Sequence, residues 1–282
     1  MKRIALLIAL FFVFASTSFT QQTAELKWAT LDGAKIRYLD TGGDADNALV
    51  FVHCWTCNSD FWRENIGGFP GYRVIALDLP GHGKSEKPKI EYTIEHFARA
   101  VEAVMDDADV EKAVLVGHSM GTPVTRRFYE LYPKKTLGIV VVDGALIPMG
   151  PRAEVEKFFD PLYKDYRAAA PKFLDGMLQP AWPGVKDFIR SSMLATEDFV
   201  AVSAMRNMTE DAYAAHGKID VPVLAVMAPS PFWPKDLDAQ YRAVAPDIDF
   251  QMWTGVSHFL QLERPKEFNG QVKAFIIRKR LL

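Results

Sequence analysis

Five stretches constrain this chain more than anything else in it: ALVFVH (48–53), YRVIALD (72–78), KAVLVG (112–117), LGIVVVD (137–143) and VPVLAVM (221–227). Each is a continuous apolar run of strand length, rich in β-branched residues. A strand with one wet face alternates apolar and polar residues; a strand covered on both faces does not. Helical patterns at 93–107, 119–132 and 236–245 lie between and after these runs. Residues 26–28 and 36–39 flank Asp32-Gly33 and predict a hairpin. A last strand at 249–253 precedes a final helix at 265–279. Alternation of this kind predicts an α/β fold, with a mostly parallel central sheet flanked by helices.

The alternation breaks once. No buried-strand pattern occurs from 145 to 216; amphipathic stretches carry Phe158, Phe159, Tyr166, Phe173, Trp182 and Met205 instead. An insertion of that size after a sheet strand predicts a helical cap over the strand ends, where open α/β sheets bind their ligands. The expected division is a core of 22–145 and 217–282 with a helical cap at 146–216. Most of the cap's aromatics are expected to fill its own interior and a minority to line the pocket.

Residues 1–21 read as a signal peptide. Lys2 and Arg3 precede an apolar run at 4–14, and small polar residues follow. The apolar run is short for a membrane span, and no cysteine follows it to carry a lipid, so no stable membrane anchor is expected after cleavage. The protein is therefore expected to be exported, to the periplasm or beyond. Formal net charge is −2 for the whole chain and −4 without Lys2 and Arg3. There is no basic stripe, which argues against a nucleic-acid partner. The sequence carries no signal for oligomeric state.

The chemistry centres on Gly117-His118-Ser119-Met120-Gly121, which follows a strand and opens a helix. In that context G-x-S-x-G is a nucleophile elbow. Its turn forces the serine into a strained backbone conformation, and side chains two residues to either side would clash. The Ser119 hydroxyl then stands above the sheet at a helix N-terminus, where backbone amides favour developing negative charge. GHGKS (81–85) is not a phosphate loop, since that motif would require glycine at Asp78. Only His53 adjoins the C-x-x-C pair Cys54 and Cys57, which is too few ligands for zinc. In an exported protein the pair is a possible disulfide. No cofactor and no metal is expected.

VHCW (52–55), DLPGHGKS (78–85), GHSMG (117–121) and GVSHFLQLERPKEF (255–268) together resemble the α/β-hydrolase fold superfamily over nearly all of the chain beyond residue 21. The resemblance implies His258 as general base, in the chain order serine, acid, histidine. It implies an oxyanion hole made by the amides of Met120 and Trp55. The family has His-Gly where this chain has His53-Cys54, and glycine permits backbone conformations that cysteine resists; a Cys54–Cys57 bridge would hold that loop in shape. His53 is expected to hydrogen-bond locally there, His118 to be a spacer in the elbow, and His96 and His216 to be surface positions. Arg126, Arg127 and Lys84 read as solvated or structural.

The acid is displaced. Many relatives carry it just after the strand matching VPVLAVM, where this chain reads Ala228-Pro229-Ser230-Pro231. Haloalkane dehalogenases take it from the end of the preceding strand, which here is Asp143. Asp236, Asp238 or a site without an acid are the alternatives. Resemblance to dehalogenases extends to HCWTCNSDFWRENI, but those enzymes use an aspartate nucleophile. A serine forms an acyl intermediate, so the expected reaction is acyl transfer to water: a serine esterase (carboxylesterase-like) acting on a small apolar ester. A lactonase, C–C bond hydrolase, perhydrolase or aminopeptidase on the same fold, or a catalytically silent binding protein, are the other readings.

Overall fold

The computed structural model describes residues 23–282 apart from Asp44 and Ala181; the expected signal peptide lies outside the described residues. The elements follow in the order β1 (Glu25–Leu31), β2 (Ala34–Asp40), β3 (Asn47–Val52), α1 (Arg63–Ile66), β4 (Val74–Leu77), α2 (Ile94–Asp107), β5 (Lys112–His118), α3 (Gly121–Leu131) and β6 (Thr136–Val142). Then come α4 (Arg152–Lys164), α5 (Tyr166–Met177), α6 (Pro183–Leu194), α7 (Asp198–Ala212), β7 (Val223–Met227), α8 (Leu237–Val244), β8 (Ile248–Met252), α9 (Leu260–Glu263) and α10 (Pro265–Lys279). The strands form one sheet in the order β1-β2-β4-β3-β5-β6-β7-β8. The β1–β2 and β2–β4 pairs are antiparallel; every pair from β4 to β8 is parallel. The two ends of the hairpin apart, this is the sheet that the continuous apolar runs require.

Side chains alternate between two covered faces. Val50 and Val52 join one buried cluster with Phe97, Val101 and Met105 of α2 and Phe128 of α3. Leu49 and Phe51 join another with Phe268, Val272 and Phe275 of α10. Helix α2 buries Ile94, Phe97, Ala98, Val101, Val104 and Met105, the spacing of a single helical face. Thr93 caps it, its hydroxyl accepting the His96 amide at 3.0 Å.

Helices α4–α7 lie between β6 and β7. Their buried residues, Phe159, Leu162, Tyr166, Leu174, Met193 and Met205 among them, belong to the same cluster as Trp55 and α2. The cap therefore has no separate core: its apolar interior is continuous with that of the sheet, contrary to the expectation that its aromatics fill a core of their own. Arg126 fastens both ends of the insertion. Buried on α3, it donates Nη1 to the Leu146 carbonyl (2.6 Å) and Nη2 to the Gly217 carbonyl (2.9 Å).

Candidate active site

At the β5–α3 turn Ser119 has φ +52°. Its amide donates to Val142 O at 3.0 Å and its carbonyl accepts the Thr122 amide at 2.9 Å. A non-glycine residue in this left-handed region carries strain of about 1–3 kcal/mol, which persists only where the surroundings over-determine it. The two elbow glycines make that possible. A Cβ on Gly117 would run into the Gly121 carbonyl, and a Cβ on Gly121 into the Val52 carbonyl. Both obstacles are backbone and cannot swing aside.

His258 lies in the loop between β8 and α9, and its Nδ1 meets Asp143 Oδ2 at 2.7 Å. The carboxylate is the acceptor, so Nδ1 carries the proton and Nε2 is left as the free base. Asp143 follows β6 directly, is 4% exposed and has φ +40°. Its second oxygen accepts the Ala228 amide at 2.9 Å, and its own amide donates to Val226 O at 2.9 Å. The end of β7 thus supplies an amide that orients the acid. Asp236 and Asp238 do not reach the histidine: Asp236 accepts from Gln240 Nε2 and Asp238 pairs with Arg242, both on exposed ground around α8. Among the described residues no hydrogen bond joins Ser119 Oγ to His258. Such bonds are often open in a free enzyme and tighten around the substrate.

The loop carrying His258 is held by residues that sequence reasoning passed over. His118, read as a spacer, donates from Nε2 to the His258 carbonyl (2.8 Å) while its Nδ1 faces the Gln261 side-chain amide (3.2 Å). Burial, then the neighbouring His258, pushes the His118 imidazole well below its ordinary range, so it is neutral and can play both parts. Glu263, 3% exposed, accepts both the amide and the hydroxyl of Ser257. The one signal for it in the sequence is a carboxylate within the apolar run FLQLE. His216 and His96 are not the surface residues expected: both are largely covered, and His216 meets Glu130 Oε1 and the Asp211 carbonyl, each at 2.8 Å.

After β3 the chain makes a tight turn in which the Cys57 amide donates to Cys54 O at 3.1 Å. A disulfide joins Cys54 to Cys57, whose Cα atoms are 5.1 Å apart. Thr56, between them, has φ +56°. His53 Nδ1 donates to the same Cys54 carbonyl (2.8 Å) and its Nε2 accepts the Leu79 amide (2.9 Å). Burial pushes the His53 pKa down to about 4, which keeps the neutral form this double role needs. The amides of Trp55 and Met120 donate to no other group among the described residues. Met120 follows the strained serine directly, and unpaired amides of this kind can receive the charge of an oxyanion.

In the DLPGHGKS loop the anion is the protein's own. Asp78 accepts the amides of Ser59 (2.7 Å) and Lys84 (2.9 Å) and pairs with Arg37 at 3.2 Å. Burial alone would raise its pKa; those amides outweigh it and hold the carboxyl below its ordinary value.

A family model described as alpha/beta hydrolase fold matches residues 47–250. The chain is 31% identical over 170 residues to the dihydrolipoyllysine-residue acetyltransferase component of the acetoin cleaving system of Cupriavidus necator, covering 55% of this chain and 45% of that one. It is 33% identical over 127 residues to a bifunctional esterase/perhydrolase of Acinetobacter calcoaceticus, covering 44% and 46%. The chain thus spans under half the length of either curated relative. It is also similar to the solved structure of Est816, described as an N-acyl homoserine lactone degrading enzyme. That likeness has a TM-score of 0.69 at 25% identity and covers 88% of this chain and 100% of the other.

Proposed function

The chain belongs to the alpha/beta hydrolase fold family, whose model covers residues 47–250, and on that premise we propose that it is an exported serine hydrolase of small apolar carboxylic esters. The observation that carries this reading is the pairing of His258 Nδ1 with Asp143 at 2.7 Å, on a loop bonded by His118, the residue before the strained Ser119. In the reaction Ser119 Oγ attacks the ester carbonyl and His258 Nε2 takes its proton. The amides of Met120 and Trp55 receive the charge on the carbonyl oxygen. Collapse of the tetrahedral intermediate breaks the C–O bond, and the alcohol leaves with the proton held by His258. Water, deprotonated by the same nitrogen, then releases the acid and restores Ser119. A high aromatic content, 12% of residues, and the absence of a basic patch suit an uncharged acyl group.

A fluorophosphonate probe tests the reading directly. We expect one adduct per chain, located on Ser119 by peptide mass spectrometry, together with turnover of short-chain p-nitrophenyl esters. A protein that turns over neither esters nor lactones and takes no probe is not a serine hydrolase. A lactone is an internal ester and passes through the same acyl intermediate; the named activity of Est816 makes acyl homoserine lactones the second substrate class to assay. Export rests on the basic pair Lys2 and Arg3 before an apolar run, and on a disulfide that suits an oxidising compartment. The N-terminus of protein recovered from the periplasm or medium is expected to fall near residues 20–22; an intact Met1, or retention in the cytoplasm, would refute export.

A further inference from the structure

The turn that carries the Trp55 amide is attached to the cap as firmly as to the sheet. The Trp55 indole Nε1 donates to the Ala201 carbonyl of α7 at 2.8 Å. The Thr196 hydroxyl, between α6 and α7, donates to the Thr56 carbonyl at 3.1 Å, and Asn58 Nδ2 meets Ser192 Oγ of α6 at 3.2 Å. The indole also stands edge-on against Tyr166 (ring centroids 6.0 Å, 88° between planes) and Phe173 (5.7 Å, 86°) of α5. These contacts act on a turn that has reason to relax. Thr56 is β-branched and sits at φ +56°, a conformation such residues rarely adopt. Its hydroxyl is buried without a hydrogen-bond partner, a second cost of holding this conformation.

We propose that the Trp55 indole and the Thr196 hydroxyl are positioning groups that hold the oxyanion-binding amide of Trp55 in place through the cap. The Trp55 amide belongs to the Cys54–Trp55 peptide, whose carbonyl is held from the sheet side by His53 Nδ1 and the Cys57 amide, while the disulfide ties the two ends of the turn together. From the cap side the Trp55 indole fixes the Cα at the other end of that Cys54–Trp55 peptide, and the Thr196 hydroxyl fixes the Thr56 carbonyl that follows. Docking of the cap is thereby coupled to transition-state stabilisation as well as to substrate binding. This inference rests on the serine-hydrolase reading above.

The test uses two conservative variants of the full protein. Trp55→Phe keeps an aromatic ring against Tyr166 and Phe173 but removes the N–H. Thr196→Val keeps the volume and removes the hydroxyl, so it serves even if the first variant folds poorly. With p-nitrophenyl butyrate, kcat is expected to fall about 10-fold in each, the worth of one displaced hydrogen bond, while KM stays within about twofold. Affinity for a trifluoromethyl ketone, which forms a tetrahedral adduct with the serine, should weaken by a similar factor. The double variant should lose less than the product of the singles, because both groups hold the same turn. Unchanged kcat and ketone affinity in both variants, with wild type active, overturns the coupling alone. Equal losses through KM with kcat intact overturn it too, leaving the contacts as pocket structure. A wild type that neither hydrolyses esters or lactones nor takes the fluorophosphonate overturns this inference together with the reading beneath it.

Discussion

Replacing Asp143 with Asn is expected to lower kcat for a p-nitrophenyl ester by about 10³–10⁴-fold, the order seen when a triad histidine loses its orienting carboxylate. In the wild type Asp143 Oδ2 faces His258 Nδ1 at 2.7 Å and fixes the proton there. An asparagine held by the Ala228 amide through its carbonyl oxygen turns its NH₂ toward His258. That donor requires an unprotonated Nδ1, which moves the proton to Nε2, the atom that must accept from Ser119. Asn is the clean substitution because Asp143 sits at φ +40°. Asparagine tolerates the left-handed region, whereas alanine would add backbone strain to the loss of the carboxylate. Thermal stability measured alongside should change little. Activity within about threefold of wild type would mean that the Asp143–His258 pair has no part in the chemistry, and Asp236→Asn and Asp238→Asn would be measured next.

Why that aspartate was recognisable, and its partners less so, is a matter of range. The central strands could be read because a doubly covered strand leaves a local imprint, an unbroken apolar run such as Val114–Val116 or Ile139–Val142. The elbow is equally local: strand, five residues, helix. Asp143 stood out as a carboxylate at the end of such a run, but Asp236 and Asp238 were also within range of the anomaly at Pro231. Only the fold separates them, through an amide at Ala228 that donates to Asp143 and a helix surface that occupies the other two. Contacts between distant residues left no trace at all. Nothing in CWTC announces that its tryptophan will bond a carbonyl 146 residues later. Phe158 and Phe159 are adjacent and chemically identical, yet the first is 44% exposed and the second 3%. Which of them faces inward depends on how α4 sits on its neighbours. Glu263 shows in the sequence only as the carboxylate that closes FLQLE; its role as a support for the histidine loop emerges when the fold brings it against Ser257.

Stability should collapse between pH 6.5 and about 4, and three histidines that carry no catalytic charge are the reason. His53, His82 and His118 are fully buried. Burial pushes His53 down to about 4 and His82 to about 3; it also carries His118 well below its ordinary value. In the unfolded chain each takes a proton near pH 6.5. Below that pH the unfolded state binds protons that the folded state refuses, so unfolding is favoured as pH falls; above it the two states bind alike and the effect is absent. Each histidine then costs about 1.4 kcal/mol per pH unit, and three together roughly 4 kcal/mol per unit, until their folded pKa values are reached. Asp40, held at about 2 by Arg73 and Lys27 against the cost of its burial, adds to the loss only below pH 4. Asp211, raised by burial, works in the opposite direction and does so above the ordinary carboxylate value, where the folded state takes up a proton before the unfolded chain does. Against a domain stability of about 5–15 kcal/mol, the histidines alone bring the protein close to unfolding near pH 5. Chemical denaturation at pH 7.5, 6.5, 5.5 and 5.0 measures this, and a free energy that stays flat to pH 5 would show that the buried imidazoles titrate normally. His82 is the informative one to replace, since its Nδ1 bonds the Pro80 carbonyl at 2.9 Å while its buried Nε2 has no partner. In His82→Asn the side-chain amide can keep the bond to Pro80 and cannot titrate. The slope should fall by about one third, and the variant should outlast the wild type at pH 5 even if it is the less stable of the two at pH 7.5.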